Sequence, residues 1–159
     1  MEFRVANFEK LSQHFTVYQD GIKSLEEKRN EFLEKIEPIR KEMQQILLAS
    51  QSGLVIDNKT EKQRMERFQL LQEQAQTIDK DAKFHLAVQK DDLTREVYKK
   101  LEEIISEWSI ANSIDIVIGK LEVVYMNDRY EITDTIIDIL KERNLYVDIN
   151  TLETEKESV

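Results

Sequence analysis

From Phe8 onward the chain keeps a helical period. Phe8, Leu11, Phe15, Tyr18, Ile22, Leu25, Arg29, Phe32, Ile36, Ile39, Met43 and Ile46 follow one another at alternating intervals of three and four residues. Every one of them except Arg29 is apolar. That spacing places them on a single stripe and predicts a coiled-coil seam on one long helix. Gly21 and Pro38 fall inside it and are candidate hinges. Gly21 weakens a helix by about 1 kcal/mol relative to Ala. Pro38 removes one backbone hydrogen bond and favours a bend. Both also read as tolerated local bends, with the seam continuing through them.

The register ends at Leu48-Ala49, and Ser50-Gln51-Ser52-Gly53 breaks it. Leu54, Val55 and Ile56 make a short apolar tip, and Asn58 with Glu61 resembles a capping box. A second helical run covers 60–110, with a seam of Phe68, Leu71, Ala75, Ile78, Ala82 and His85. The seam then shifts to Leu86, Leu93, Val97, Leu101, Ile104 and Trp108, a stutter-like change of register. At about 1.5 Å per residue the two runs are roughly 63 and 75 Å long. The short connection between them predicts an antiparallel helical hairpin.

Both ends of the chain read differently. Residues 2–7 are a predicted strand, with Asn7 placed to cap the helix that follows. After Asn112-Ser113, Ile114, Ile116 and Ile118 alternate with Asp115 and Val117. Gly119-Lys120 suits a two-residue hairpin turn, and Leu121, Val123 and Tyr125 repeat the alternation. Ile132, Ile136, Ile139 and Leu140 mark a last helix ending near Asn144, and a tail follows whose last residues are expected to be disordered. The predicted fold class is α+β and mostly helical. A small strand-bearing body (1–19 and 111–144) carries a long helical-hairpin arm (20–110, tip at 50–59), with a tail at 145–159.

So small a body is marginal without disulfides or metal. Its short apolar strands would be unstable alone. The expected remedy is association of several copies through Val5, Ile114, Ile116, Ile118, Leu121, Val123 and Tyr125.

Composition narrows the function. With three Gly and one Pro, a loop-rich sandwich or a Gly-rich nucleotide fold is disfavoured. No cysteine means no disulfide, thiol nucleophile or thiolate metal site. The two histidines, His14 and His85, are far apart in the chain. No catalytic residue, metal site or cofactor is expected, and the chain does not read as an enzyme. Acid pairs such as Asp91-Asp92 and Glu102-Glu103 read as solvated helix. The net charge is −9, and residues 111–159 carry 11 acids against 5 bases. That balance disfavours nucleic acid and anionic membranes. No apolar run is long enough to span a bilayer, so no stable membrane insertion is expected.

The segments Ile110-Ala-Asn-Ser-Ile-Asp-Ile-Val-Ile118, Val123-Val-Tyr125 and Glu131-Ile-Thr-Asp-x-x-Ile-x-x-Leu140 resemble the C-terminal part of the Skp/OmpH-like chaperone family. Val5-Ala-Asn-Phe-Glu-Lys-Leu11 resembles the family's first strand and helix start. The resemblance covers about 1–144, with the arm matching in pattern only. It implies a homotrimer whose helical hairpins surround a cavity and hold unfolded outer-membrane proteins without ATP. The acidic charge departs from the strongly basic best-known members. Exported members are made with a signal peptide, and Met1-Glu-Phe-Arg-Val-Ala-Asn-Phe8 has neither a basic n-region nor an apolar h-region. As written the chain is expected in the cytoplasm, for instance as a virus-encoded relative, and in the periplasm if it is a processed form.

Within this reading most of the seam closes the hairpin. Leu33, Leu47, Leu70 and Val88 beside the seam, with Leu48, Leu54, Val55 and Ile56 at the tip, are the candidates for client contact. Such groups suit weak, multivalent capture. His85 is expected to be a buried or partly buried neutral side chain, Trp108 a packing residue, and Arg29 a snorkelling or ion-paired one. Asn58-Lys59-Thr60 matches a glycosylation pattern but is better read as a cap. The alternative to a holding chaperone is a structural or assembly adaptor that uses the arms for one fixed partner.

Overall fold

The computed structural model describes residues 1–52 and 57–152. Strand β1 (Phe3–Ala6) is followed by helices α1 (Phe8–Gln13), α2 (Thr16–Gln51) and α3 (Asn58–Ala111). Strand β2 (Ile116–Gly119), two 3₁₀ turns (Lys120–Glu122 and Asp128–Tyr130) and helix α4 (Thr133–Glu142) complete it. The fold is mostly helical with a small sheet, as the pattern predicted. The chain divides into two compact units, one of Met1–Lys23 with Asp91–Val159 and one of Ser24–Lys90. The tip residues Leu54, Val55 and Ile56, the breaker Gly53 and the last seven residues lie outside the described ones.

The first unit is built round a two-stranded parallel sheet, Phe3 pairing with Ile116, Arg4 with Val117, Val5 with Ile118 and Ala6 with Gly119. A parallel pair cannot be joined by a tight turn and needs a crossover. Here α1, α2 and α3 together are that crossover. The other side of β1 is closed as well. Ile132 N–H donates to the Val5 carbonyl at 2.9 Å, and Asn7 N–H donates to the Thr133 hydroxyl at 2.9 Å. The Asn7 side chain accepts from Lys10 N–H and so caps α1, as its position predicted. The core behind the sheet takes Val5, Ala6, Leu11 and Phe15 from the N-terminal end, Val97, Leu101, Ile104 and Ile105 from α3, and Ile132, Ile136, Ile137 and Leu140 from α4.

Four expectations need correction. The first helix is not continuous from Phe8. It stops at Gln13 and restarts at Thr16, because Leu145 and Val147 bond to the backbone of the break. The Gly119-Lys120 hairpin does not form within the chain. Gly119 is extended (φ −65°, ψ 139°), whereas the expected turn needs a positive φ there. Lys120 is held instead by both oxygens of Glu131 at 3.0 Å. Residues 120–122 form a 3₁₀ turn, and 121–125 make no strand. The cap of α3 is Asp57 rather than Asn58, through its Oδ1 accepting from Thr60 N–H at 2.8 Å. Hydrogen bonds from Thr60 hold the Asp57 carboxyl below its usual range. Finally, His85 is exposed.

The two bend candidates behave differently from each other. α2 runs through both. Pro38 and Glu34, whose carbonyl loses its partner, are both exposed, so water can take that carbonyl. Gly21 is a close approach. A Cβ built on it would run into the Leu93 side chain, within 2.9 Å of Leu93 Cγ.

Turns that glycine usually makes are made here by other residues. α3 ends with Ser113 at φ 56° and α4 with Asn144 at φ 56°. In both, the following N–H reaches back to close the helix, Ile114 to Ser109 O (2.9 Å) and Leu145 to Leu140 O (2.8 Å). These are Schellman endings, which place the left-handed residue just past the last turn.

Two outcomes follow. Gly21→Ala, which would raise stability by about 1 kcal/mol in an open helix, lowers the melting temperature here, and Leu93→Ala added to it recovers part of the loss. A rise on Gly21→Ala alone would contradict the close approach. Ser113→Gly relieves left-handed strain and raises stability by up to about 1 kcal/mol, read by urea denaturation.

Candidate functional site

Among the described residues no group of His, Asp and Glu is arranged to hold a metal ion. No helix there is long and apolar enough to cross a membrane. What the side chains do present is exposed apolar surface, on each unit separately.

In the second unit the two helices run antiparallel. Ser50 Oγ donates to Glu61 at 3.0 Å, Arg67 makes a two-pronged contact with Glu42 at 2.7 and 3.0 Å, and the Phe32 ring stacks near His85 with centroids 6.3 Å apart. Two helices can enclose only one stripe each, and the stripe here is thin. Of its described residues only Ile36 and Leu71 are fully buried, while Phe32, Ile39, Met43, Ile46, Phe68, Ala75, Ile78 and Ala82 are half-buried. Most of the large apolar side chains beside the stripe face water.

The predicted contact residues Leu33, Leu47, Leu48, Leu70 and Val88 are all exposed. Leu33 and Leu47 are two heptads apart on α2, and Leu70 and Phe84 are two heptads apart on α3, so each pair recurs along one face. A shallow groove lined by Ile39, Leu70, Glu73, Gln74, Thr77 and Ile78 has a volume of about 420 Å³. In this unit the sequence reading missed Met65 and Phe84, and Phe84 is the more exposed of the two at 66%. Phe84 meets the His85 ring edge-on at 5.6 Å, and Lys28 and Lys35 lie 5.8 and 5.4 Å from the Phe32 ring. Phe84 precedes the seam position His85 by one place, as Leu70 precedes Leu71, rather than occupying it. The flanking rule that selected Leu33 and Leu47 would have found it.

In the first unit the predicted assembly residues separate. Val5 is only 1% exposed and its side chain is enclosed in the unit's own core. Ile114 and Val123 are half-buried, Ile116 and Ile118 are exposed along β2, and Leu121 and Tyr125 are exposed beyond it. Val124 and Ile110 were missed, and Val124 is fully exposed. Alternation along 121–125 correctly identified an apolar segment but could not say that no strand of the same chain would cover it. Phe3 stacks on Tyr130 at 4.9 Å and Phe8 on Tyr98 at 5.6 Å, so these rings are partly occupied within the unit.

The Glu42–Arg67 contact ties α2 to α3 in the second unit. The guanidinium hydrogen bonds and their charge hold the Glu42 carboxyl below its usual range, and Glu42 holds the Arg67 guanidinium above its own. A lowered carboxyl pKa stabilises the folded state above the ordinary carboxylate range and stops doing so as pH falls through the depressed value. Both groups are solvent-screened, so the effect is small. Glu42→Gln should therefore cost stability at neutral pH, less at high salt, and nothing in strong acid. Urea denaturation at several pH values reads this, and a difference that grew on acidification would contradict the pair.

Three comparisons bear on what these surfaces are for. The family model described as outer membrane protein (OmpH-like) matches residues 2–140. A crystal structure from Caulobacter crescentus, whose description assigns it as an outer membrane chaperone (OmpH-like), is similar with a TM-score of 0.74. It is 14% identical, over 89% of this chain and 84% of the other, so the likeness shows the fold alone. No curated protein matches.

Proposed function

The chain belongs to the OmpH-like family, and from that premise we propose that it is an ATP-independent holding chaperone that assembles as a homotrimer and captures unfolded client proteins. One observation carries the reading. The second unit leaves Leu33, Leu47, Leu48, Met65, Leu70, Phe84 and Val88 exposed on helices whose remaining surface is mostly charged or polar. Many weak apolar contacts on a soluble support can hold a client that has no fixed shape. Holding of this kind needs no reacting group, which fits a non-enzymatic role.

The first unit supports assembly. β1 is closed on both sides, by β2 and by Ile132 N–H, so among the described residues the outer edge of β2 is the side left to pair. Ile116, Ile118, Leu121, Val124 and Tyr125 lie along and just after that edge. A two-stranded sheet with such an edge is expected to be completed by another copy. In this reading the first unit is the assembly body and the second the client-binding arm.

The test is direct. Native mass spectrometry should show three copies, and a stoichiometric amount of trimer should suppress light scattering by a denatured outer-membrane protein. Leu33→Ser with Phe84→Ser should weaken suppression several-fold while leaving the trimer intact. A monomer, or scattering unchanged by excess protein, would overturn the proposal. A defined complex with one partner and no general suppression would favour the adaptor.

A further inference from the structure

The family match ends at residue 140, but the ordered chain continues beyond it. At Asn144 the Schellman ending turns it back toward the α1–α2 break. Among the backbone groups that the break leaves without helical partners are the His14 carbonyl and the Thr16 N–H. One short segment satisfies both. Thr16 N–H donates to Leu145 O at 2.9 Å, Val147 N–H donates to His14 O at 2.8 Å, and Phe15 and Tyr146 sit opposite each other as an antiparallel bridge.

Side chains add to the backbone pairing. The Tyr146 ring lies on the His14 ring with centroids 5.1 Å apart and planes 6° apart. Lys141 Nζ is 4.8 Å from the centre of the Tyr146 ring. His14 Nδ1 is 2.9 Å from the Val147 carbonyl, which requires the proton on Nδ1. Beneath the bridge Phe15 is only 1% exposed.

We propose that the break at residues 14–16 is a docking edge for one extended peptide with an aromatic residue at its centre, and that residues 145–147 are its ligand in cis. Main-chain bonds of this sort supply affinity for any extended chain, and one aromatic position supplies selectivity, as in strand addition. The edge lies inside the part of the chain that matches the family, and its ligand lies outside it. In this proposal the segment 145–147 is a clasp on the first unit, closed over the α1–α2 break.

Amide hydrogen exchange on the full chain tests this. Tyr146→Ala should reduce protection of the Thr16 amide about tenfold, the loss expected from removing one stacked aromatic pair. An excess of a synthetic peptide spanning residues 144–150 should restore that protection in trans, and the same peptide with Tyr146→Ala should not. If Tyr146→Ala fails to fold, Lys141→Ala reads the same amide with a smaller loss. Unchanged protection of Thr16, or a loss that the peptide cannot restore, would overturn the docking edge.

Discussion

The parallel ladder between β1 and β2 is the contact on which the first unit depends. Four residues on each side are too few to stand alone, so the ladder is tied at both ends. Glu2 N–H meets the Asp115 carboxylate at one end, and Asn7 N–H meets Thr133 at the other, with Lys120 held by Glu131 nearby. α3 and α4 place their buried leucines and isoleucines behind it. Because β1 is enclosed on both sides, the outer edge of β2 and the apolar residues after it are left to pair among the described residues.

The second unit solves the opposite problem. It has little to enclose, since two helices can shelter only one stripe, and it leaves large side chains in water. Pairs along each helix such as Lys28–Glu31, Lys41–Glu37 and Lys83–Asp79 are exposed and individually weak. Their value is to surround the exposed leucines with charge, which limits association of the unit with itself. Weak internal packing and exposed apolar surface are consequences of the same geometry.

The sequence made the helices legible because a seam repeats over many turns, and a repeat of that length is hard to produce by chance. It made the break at His14 illegible. Phe15 kept the seam's spacing, and the bonds that interrupt the helix come from Leu145 and Val147, which no local pattern can reveal. Residues 121–125 failed for a related reason: alternation encodes which side chains share a face, not whether a partner strand is present. Glycine was a misleading guide. Gly119 is extended, while the left-handed positions fall at Ser113 and Asn144. Exposed apolar positions were legible where they flanked the seam, and Phe84 was legible by the same rule though unused.

The parallel pairing of β1 with β2 also sets an order of events during synthesis. Partners in the ladder are 113 residues apart, as are Glu2 and Asp115 at its end. At about 5–20 residues per second, β1 leaves the ribosome roughly 6–23 s before its partner exists. The helices between them need only microseconds. The nascent chain therefore completes most of α2 and α3 first and carries an unpaired strand throughout. Once formed, the two helices bring the ends together, so the last step closes a short gap rather than a long loop. A protein read here as a holder of unfinished chains is itself, for most of its own translation, an unfinished chain with an exposed strand.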